Sequence, residues 1–314
     1  MKKFFGILFL LFLINACDDG DIAVQDISFE QVEGLKCNDN GIVYKIKGNE
    51  VLILNIPKDS FAFKDDQTIA NKPRIYAINS NTTVTYRAYN SVPTGANFCG
   101  AIPPATPIVI EEWTAIGGTI EITTTISKTT DETTKAETIT GYNHLVILKN
   151  VTFKKPNGEQ FYEEFRFGNY KTTITPLSFT VFTNKIKKCS NGTNLTSNNG
   201  LSSLISFDNN PDLIQHILTN GTPRIATIST ANNLYYRVFV GLSQSADLTC
   251  TKTFLSTDTT LQQEWKAISG TVEVTTESIG NAFIHEVRLK GVKFKKGNSE
   301  FYLGDNFLLG KIES

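Results

Sequence analysis

The chain has no excess of charge: its 314 residues carry 30 basic and 31 acidic side chains. So even a balance gives no electrostatic reason for a nucleic-acid partner. Only one long apolar run is present, Phe4–Ile14, whereas a multi-span membrane protein needs several runs of roughly 20 residues. Charged residues make up 19% of the chain, too few for a coiled coil. Histidine occurs three times and cysteine five times, with no Cys-x2-Cys or His-x3-His spacing. A structural zinc site needs about four such ligands. The HExxH, P-loop, GxGxxG and EF-hand spacings are absent, and Gly241-Leu242-Ser243-Gln244-Ser245 lacks the closing glycine of a hydrolase elbow. No metal, cofactor or catalytic residue is assigned from sequence.

What is abundant points to strands. The chain has 38 Thr, 21 Phe and 10 Tyr, types that suit a pleated, half-buried surface. A length near 300 residues implies about two domains, each able to bury its own core.

Residues 1–16 read as a secretory signal. Lys2 and Lys3 supply a positive n-region, and the apolar run that follows is too short to span a bilayer as a helix. Their removal leaves 28 basic and 31 acidic side chains, a net charge of −3. The segment Leu13-Ile14-Asn15-Ala16-Cys17 resembles the lipobox of bacterial lipoproteins. That resemblance implies cleavage before Cys17, lipidation of its sulfur and a lipid bilayer as partner. Residues 17–26 then form an acidic tether. Its start, Cys17-Asp18-Asp19-Gly20-Asp21, resembles the surface-export signal of lipoproteins from the Bacteroidota, which implies an outward-facing place on the outer membrane. Under the rule for enteric bacteria, Asp18 would mean retention at the inner membrane instead.

Self-comparison shows two copies of one unit. Pro73-Arg74-Ile75 matches Pro223-Arg224-Ile225, and Tyr86-Arg87 matches Tyr236-Arg237. The run from Glu112-Trp113 to Thr124 matches that from Glu264-Trp265 to Thr276, and Val151–Lys155 matches Val292–Lys296. The offset falls from 152 to 141 opposite Ser127–Ile139, which marks a hairpin or loop extended in copy one. Glu159-Gln160-Phe161-Tyr162 then matches Ser299-Glu300-Phe301-Tyr302 at 140. Copy one is assigned to residues 27–170 and copy two to 171–314.

Each copy reads as short strands. Ile120 and Ile122, like Val272 and Val274, alternate with polar residues at period two. Gly117-Gly118 and Ser269-Gly270 suit a turn or bulge before them. The apolar phase slips by one at Lys149-Asn150 and Lys290-Gly291, where Asn and Gly tolerate positive φ. Val84–Tyr89 and Leu234–Phe239 follow Asn-rich turns and read as return arms of hairpins. Pro211–Leu218 is the one candidate helix. The expected fold class is all-β: two tandem homologous β-sandwich-like domains.

Five cysteines resolve once Cys17 is assigned to lipid. The other four fall two per copy, Cys37 and Cys99 at a separation of 62, Cys189 and Cys250 at 61. Pairing within each copy lets each domain fold alone. Zinc is the rival reading and lacks its spacing.

Several residues carry two readings. Trp113 and Trp265 could stack on sugar rings or fill the core. The repeat-equivalent His144 and His285 could form a ligand site or satisfy local hydrogen bonds. Arg74, Arg87, Arg224 and Arg237 read as exposed strand arginines, with an anion site as the alternative. Adjacent Glu163 and Glu164 on a strand face opposite ways and make poor catalytic partners. Asp258-Thr259-Thr260 resembles the O-glycosylation motif of the Bacteroidota, with Thr259 as acceptor.

The recurring Trp-x-Ala-x-x-Gly-Thr-Ile/Val-Glu-Ile/Val-Thr-Thr strand resembles lipoproteins of flavobacteria, a group that implies no particular activity. The expected function is a membrane-anchored, non-catalytic binding or adhesion module for a protein or glycan. The alternatives are a surface enzyme acting on glycans or peptides, and an accessory subunit of an outer-membrane complex.

Overall fold

The computed structural model describes residues 27–38, 40–177, 179, 186–189, 195–198, 203–208, 213–240, 250 and 260–314. These residues are almost entirely β, in two antiparallel sheets. The first contains β1 (Leu35–Lys36), β2 (Ile42–Lys47), β3 (Glu50–Asn55), β4 (Arg74–Ala77), β5 (Thr83–Tyr89), β6 (Val109–Thr130), β7 (Glu137–Lys155) and β8 (Gly158–Thr173). The second contains β9 (Lys187–Lys188), β10 (Leu195–Asn198), β11 (Ser203–Asp208), β12 (Arg224–Thr227), β13 (Asn233–Phe239), β14 (Leu261–Ile279), β15 (Ala282–Lys296), β16 (Ser299–Tyr302) and β17 (Phe307–Glu313).

The two sheets repeat one another pair by pair. Tyr86 lies opposite Trp113 and Tyr236 opposite Trp265. Arg74 lies opposite Ile122 and Arg224 opposite Val274. His144 lies opposite Thr124 and His285 opposite Thr276. The first sheet extends through Thr173, which pairs with Gly141, past the boundary expected at 170.

Each sheet wraps round its own core. Val43, Leu52, Tyr86, Trp113, Val146 and Phe167, from six different strands, belong to one buried cluster, which a flat sheet could not bring together. The long strands bend where the sequence slips phase. On β6 the buried positions change from Trp113 and Ala115 to Ile120 and Ile122, across a register shift at Gly117–Thr119. Gly118 has φ +110, and a Cβ there would meet backbone atoms of Lys149, Asn150 and Val151 at 2.7–2.8 Å. Gly270 repeats this at φ +111. Asn150 and Gly291 supply the facing bends at φ 50 and 61. One backbone contact brings the ends of each sheet together: Gly34 bridges Tyr170, and Ile186 N donates to Lys311 O. The layers of the expected sandwich are thus halves of one bent sheet.

Three local expectations are corrected. Gly117-Gly118 and Ser269-Gly270 do not precede strands; they sit inside β6, a 22-residue strand, and inside β14. β4 and β5 are not a hairpin. They lie end to end along one edge of β6, β4 on Thr119–Ile122 and β5 on Val109–Thr114, because the bend turns the two halves of β6 in different directions. Residues 213–218 form no helix. Arg224 takes the carbonyls of Leu213, Gln215 and Ile217, which a helix would need for itself.

Each copy has a Trp end, near Trp113 or Trp265, and a His end, near His144 or His285. The extra length of copy one lies at its His end. There β6 and β7 continue to a turn over Asp131–Ala136, whereas β14 and β15 turn at Gly280-Asn281.

Candidate functional site

The four cysteines form two disulfides, Cys37–Cys99 and Cys189–Cys250. In copy one the bridge ties a one-turn helix, α1 (Ala96–Cys99), against β2 and β3. Phe98 packs on Tyr44 at 4.6 Å, and both join Val51, Ile53 and Tyr89 in a small separate core. Cys17 and Thr259 lie outside the described residues.

The tryptophans do not form a sugar platform. Both are 0% exposed. Trp113 packs on Tyr86 at 4.9 Å, and Trp265 on Phe301 at 5.1 Å. The edge of each indole is bonded at Nε1, to Glu111 or to Gln263. A lysine covers each ring, Lys155 at 4.6 Å and Lys296 at 4.9 Å, in cation–π geometry. A rigid aromatic with a covered face cannot receive a ligand.

The histidines are also closed to ligands. Arg74 Nη1 donates to Thr124 Oγ1 at 2.7 Å, and that oxygen lies 2.8 Å from His144 Nδ1. His144 Nε2 lies 3.3 Å from Thr172 Oγ1, which donates to Asp65 Oδ1 at 2.7 Å. Burial, reinforced by the Arg74 charge, lowers the His144 pKa to about 4, so the ring is neutral near pH 7. The polarity of the chain follows from its ends. Thr172 spends its proton on Asp65 and must accept from Nε2–H, which leaves Nδ1 bare to accept from Thr124. Every donor therefore points from guanidinium to carboxylate.

Copy two repeats this with one change. Arg224, Thr276 and His285 are joined at 2.8 Å each, and His285 Nε2 lies 2.9 Å from Ser314 Oγ. Ser314 Oγ then lies 3.0 Å from His216 Nε2. His216 stands where Asp65 stands in copy one, at an offset of 151. Burial, with the His216 and Arg224 charges next, lowers the His285 pKa.

Arg74 and Arg224 are not exposed anion ligands. Arg74 donates to the carbonyls of Ala62 and Asp66, and Arg224 to the matching loop; each fastens a loop to the sheet. Arg87 and Arg237 pair with Glu112 and Glu264 at 2.6 Å.

An open groove of about 640 Å³ is lined by Lys149, Asn150, Phe161, Tyr162, Glu163 and Glu164. Both glutamates are exposed, on a stretch of β8 that keeps its register with β7. Glu164 is spent on Lys149 at 2.6 Å and Arg166 at 2.9 Å. The Phe-Tyr match at offset 140 is off by one in space. Lys155 pairs with Gly158 and Lys296 with Ser299, so Phe161 corresponds to Tyr302. Phe161 is accordingly 62% exposed, while Phe301 is 1% exposed.

Sequence reasoning missed the contact between copies. The His end of copy one receives the Trp end of copy two. Asp66 Oδ1 accepts from Asn298 N at 2.9 Å and Ser299 Oγ at 3.1 Å. Ser299 Oγ accepts from Gln67 N and Tyr142 OH. The extended arm adds Tyr302 N to Glu137 Oε2 at 2.7 Å and Asp305 N to Thr134 O at 3.0 Å. Ile139 and Tyr142 of copy one belong to the core cluster of copy two. The only signal for this was the length difference at 127–139.

Comparison of the chain with protein families, with curated proteins and with solved structures finds no match.

Proposed function

We propose that the protein is an exported lipoprotein, held on a bilayer through acyl chains on Cys17, and that it acts as a binding or adhesion module rather than an enzyme. The carrying observation is the use of its cysteines. Four are bonded in pairs within their own sheets, a state that persists in oxidising compartments, and Cys17, in its lipobox-like setting, is the fifth. Two or more acyl chains, at about 0.8 kcal/mol per buried CH₂, hold a protein durably.

The binding reading is supported by where the large polar and aromatic side chains are spent. The tryptophans, histidines and arginines that could serve a reaction fasten loops and fill the cores. Recognition then falls to the exposed surfaces, which include apolar side chains at the free ends of both copies, Ile108 and Ile110 in one and Ile217 and Ile279 in the other. An outward-facing outer-membrane location is part of the proposal, on the acidic tether after Cys17.

Cys17→Ser tests the anchor. The variant should move from the membrane to the soluble exported fraction, and unchanged fractionation would defeat the reading. Protease added to whole cells tests the facing. Digestion of intact protein supports the surface location, and full protection places it in the periplasm.

A further inference from the structure

We propose that the Trp end of copy one rests on the lipid bilayer itself, so that copy two projects away from the membrane. This rests on the reading of Cys17 as a lipid anchor.

Three observations carry it. The first is where the chain enters the fold. The described chain begins at Ile27, and Lys45 and Lys47 of β2 hold the carbonyls of Phe29 and Ser28 at 3.0 Å each. Lys47 closes the β2–β3 hairpin, whose Asn49 bonds Tyr89 in both directions at 2.8 and 2.9 Å. Entry and Trp end therefore coincide. Residues 17–26 reach at most about 35 Å when fully extended, so this end stays close to any lipid on Cys17.

The second is what this end exposes. Val92, Ile108, Val109 and Ile110 are 67%, 53%, 42% and 61% exposed. They are neighbours: Asn90 N donates to Ile108 O, and Tyr89 lies opposite Val109. The matching place in copy two keeps the backbone bond, Val240 N to Thr260 O at 2.8 Å, but carries Thr260-Leu261-Gln262. The architecture therefore does not require an apolar run there. Copy two exposes Val240 there, at 61%, but has no Ile-Val-Ile run; that run belongs to the copy next to the anchor, where apolar side chains can enter the headgroup boundary.

The third is the order of the ends. The His end of copy one is occupied by the Trp end of copy two through Asp66, Ser299 and the 131–136 arm. The free His end of copy two, with Ile217 and Ile279 exposed, is then the far end from the anchor.

The test uses the full lipidated chain in vesicles of phosphatidylethanolamine and phosphatidylglycerol with brominated acyl chains. Both native tryptophans are buried, so Ile110→Trp and Ile217→Trp act as surface reporters. The Ile110→Trp signal should be quenched several-fold more than that of Ile217→Trp. Equal quenching, or no quenching at position 110 while the protein stays with the vesicles, would overturn the proposal; the latter would assign the patch to a protein partner. Loss of vesicle association by the lipidated chain would instead count against the Cys17 reading. In the Cys17→Ser chain, Ile108→Ser with Ile110→Ser should lower residual vesicle partitioning about tenfold, and unchanged partitioning would also overturn it.

Discussion

Asp66→Ala removes the central acceptor of the contact between copies. Its Oδ1 takes the Asn298 amide and the Ser299 hydroxyl, and the residue is buried. Truncation leaves one backbone donor and one hydroxyl donor without that acceptor. An unsatisfied buried group costs about 1–3 kcal/mol; the Ser299 hydroxyl is such a group, whereas Asn298 is exposed and its amide can turn to water, so the coupling between copies should weaken by roughly 1–3 kcal/mol. The arm contacts through Glu137 and Thr134 remain, so the copies should loosen rather than separate. Asp66→Asn keeps an oxygen acceptor in place and should retain most of the coupling. Scanning calorimetry reads the difference. The wild type should melt in one coupled transition, since the copies share a core at Ile139 and Tyr142. Asp66→Ala should lower the transition of the less stable copy by several degrees, on the scale of about 2–4 °C per kcal/mol for units of this size, and split the profile. An unchanged thermogram in Asp66→Ala, or an equal loss in Asp66→Asn, would refute the assignment of Asp66 as the centre of the contact.

The remaining predictions concern the interior of each copy. His144 should stay neutral down to about pH 4 and His285 to below the usual histidine range, read by NMR titration of the rings; a His144 midpoint near 6.5 would contradict the buried chain. The unfolded ring takes up its proton near 6.5 and the folded one near 4, so stability contributed by His144 is present above pH 6.5. It is lost as pH falls towards 4, by about 3 kcal/mol. Replacing Cys37 and Cys99 together by serine opens a loop of 62 residues and should cost about 4 kcal/mol in the chain-entropy account. A loss under about 1 kcal/mol in denaturant titration would show that the small core of Tyr44 and Phe98 holds α1 unaided.

Local periodicity made a good part of the fold legible. The phase slips at Asn150 and Gly291 are visible because a strand shows its buried face at every second residue, so one inserted residue reverses the pattern. The same logic could not reveal that β4 and β5 share one edge of β6, since that depends on how far the strand bends at Gly118. Nor could it place Phe161. Two identical dipeptides one residue apart in register look matched in sequence and face opposite ways in the sheet. The candidate helix at 211–218 failed, over its described residues 213–218, for another reason: the carbonyls of Leu213, Gln215 and Ile217 are claimed by Arg224, on the strand that follows the loop.

Repetition separates architecture from what belongs to one copy alone. The tryptophans, histidines, paired arginines and bend glycines occur in both copies, and each is spent on folding: a covered ring, a closed hydrogen-bond chain, a fastened loop, a bend. A duplicated residue invites a functional reading, yet two copies that share a fold must share its supports. Differences between the copies carry other information. Copy one alone has the long β6–β7 arm, and that arm grips copy two. It has Asp66 where copy two has Ile217, which puts a carboxylate at the joint and leaves an apolar side chain at the free end. It has Ile108-Val109-Ile110 where copy two has Thr260-Leu261-Gln262, at the end where the chain enters. Asp65 fixes the polarity of one histidine chain, whereas exposed His216 ends the other in a group that can accept or donate. Each of these four differences lies at an end of a copy rather than along its strands. The ends are therefore where mutation should change partners while leaving the fold intact.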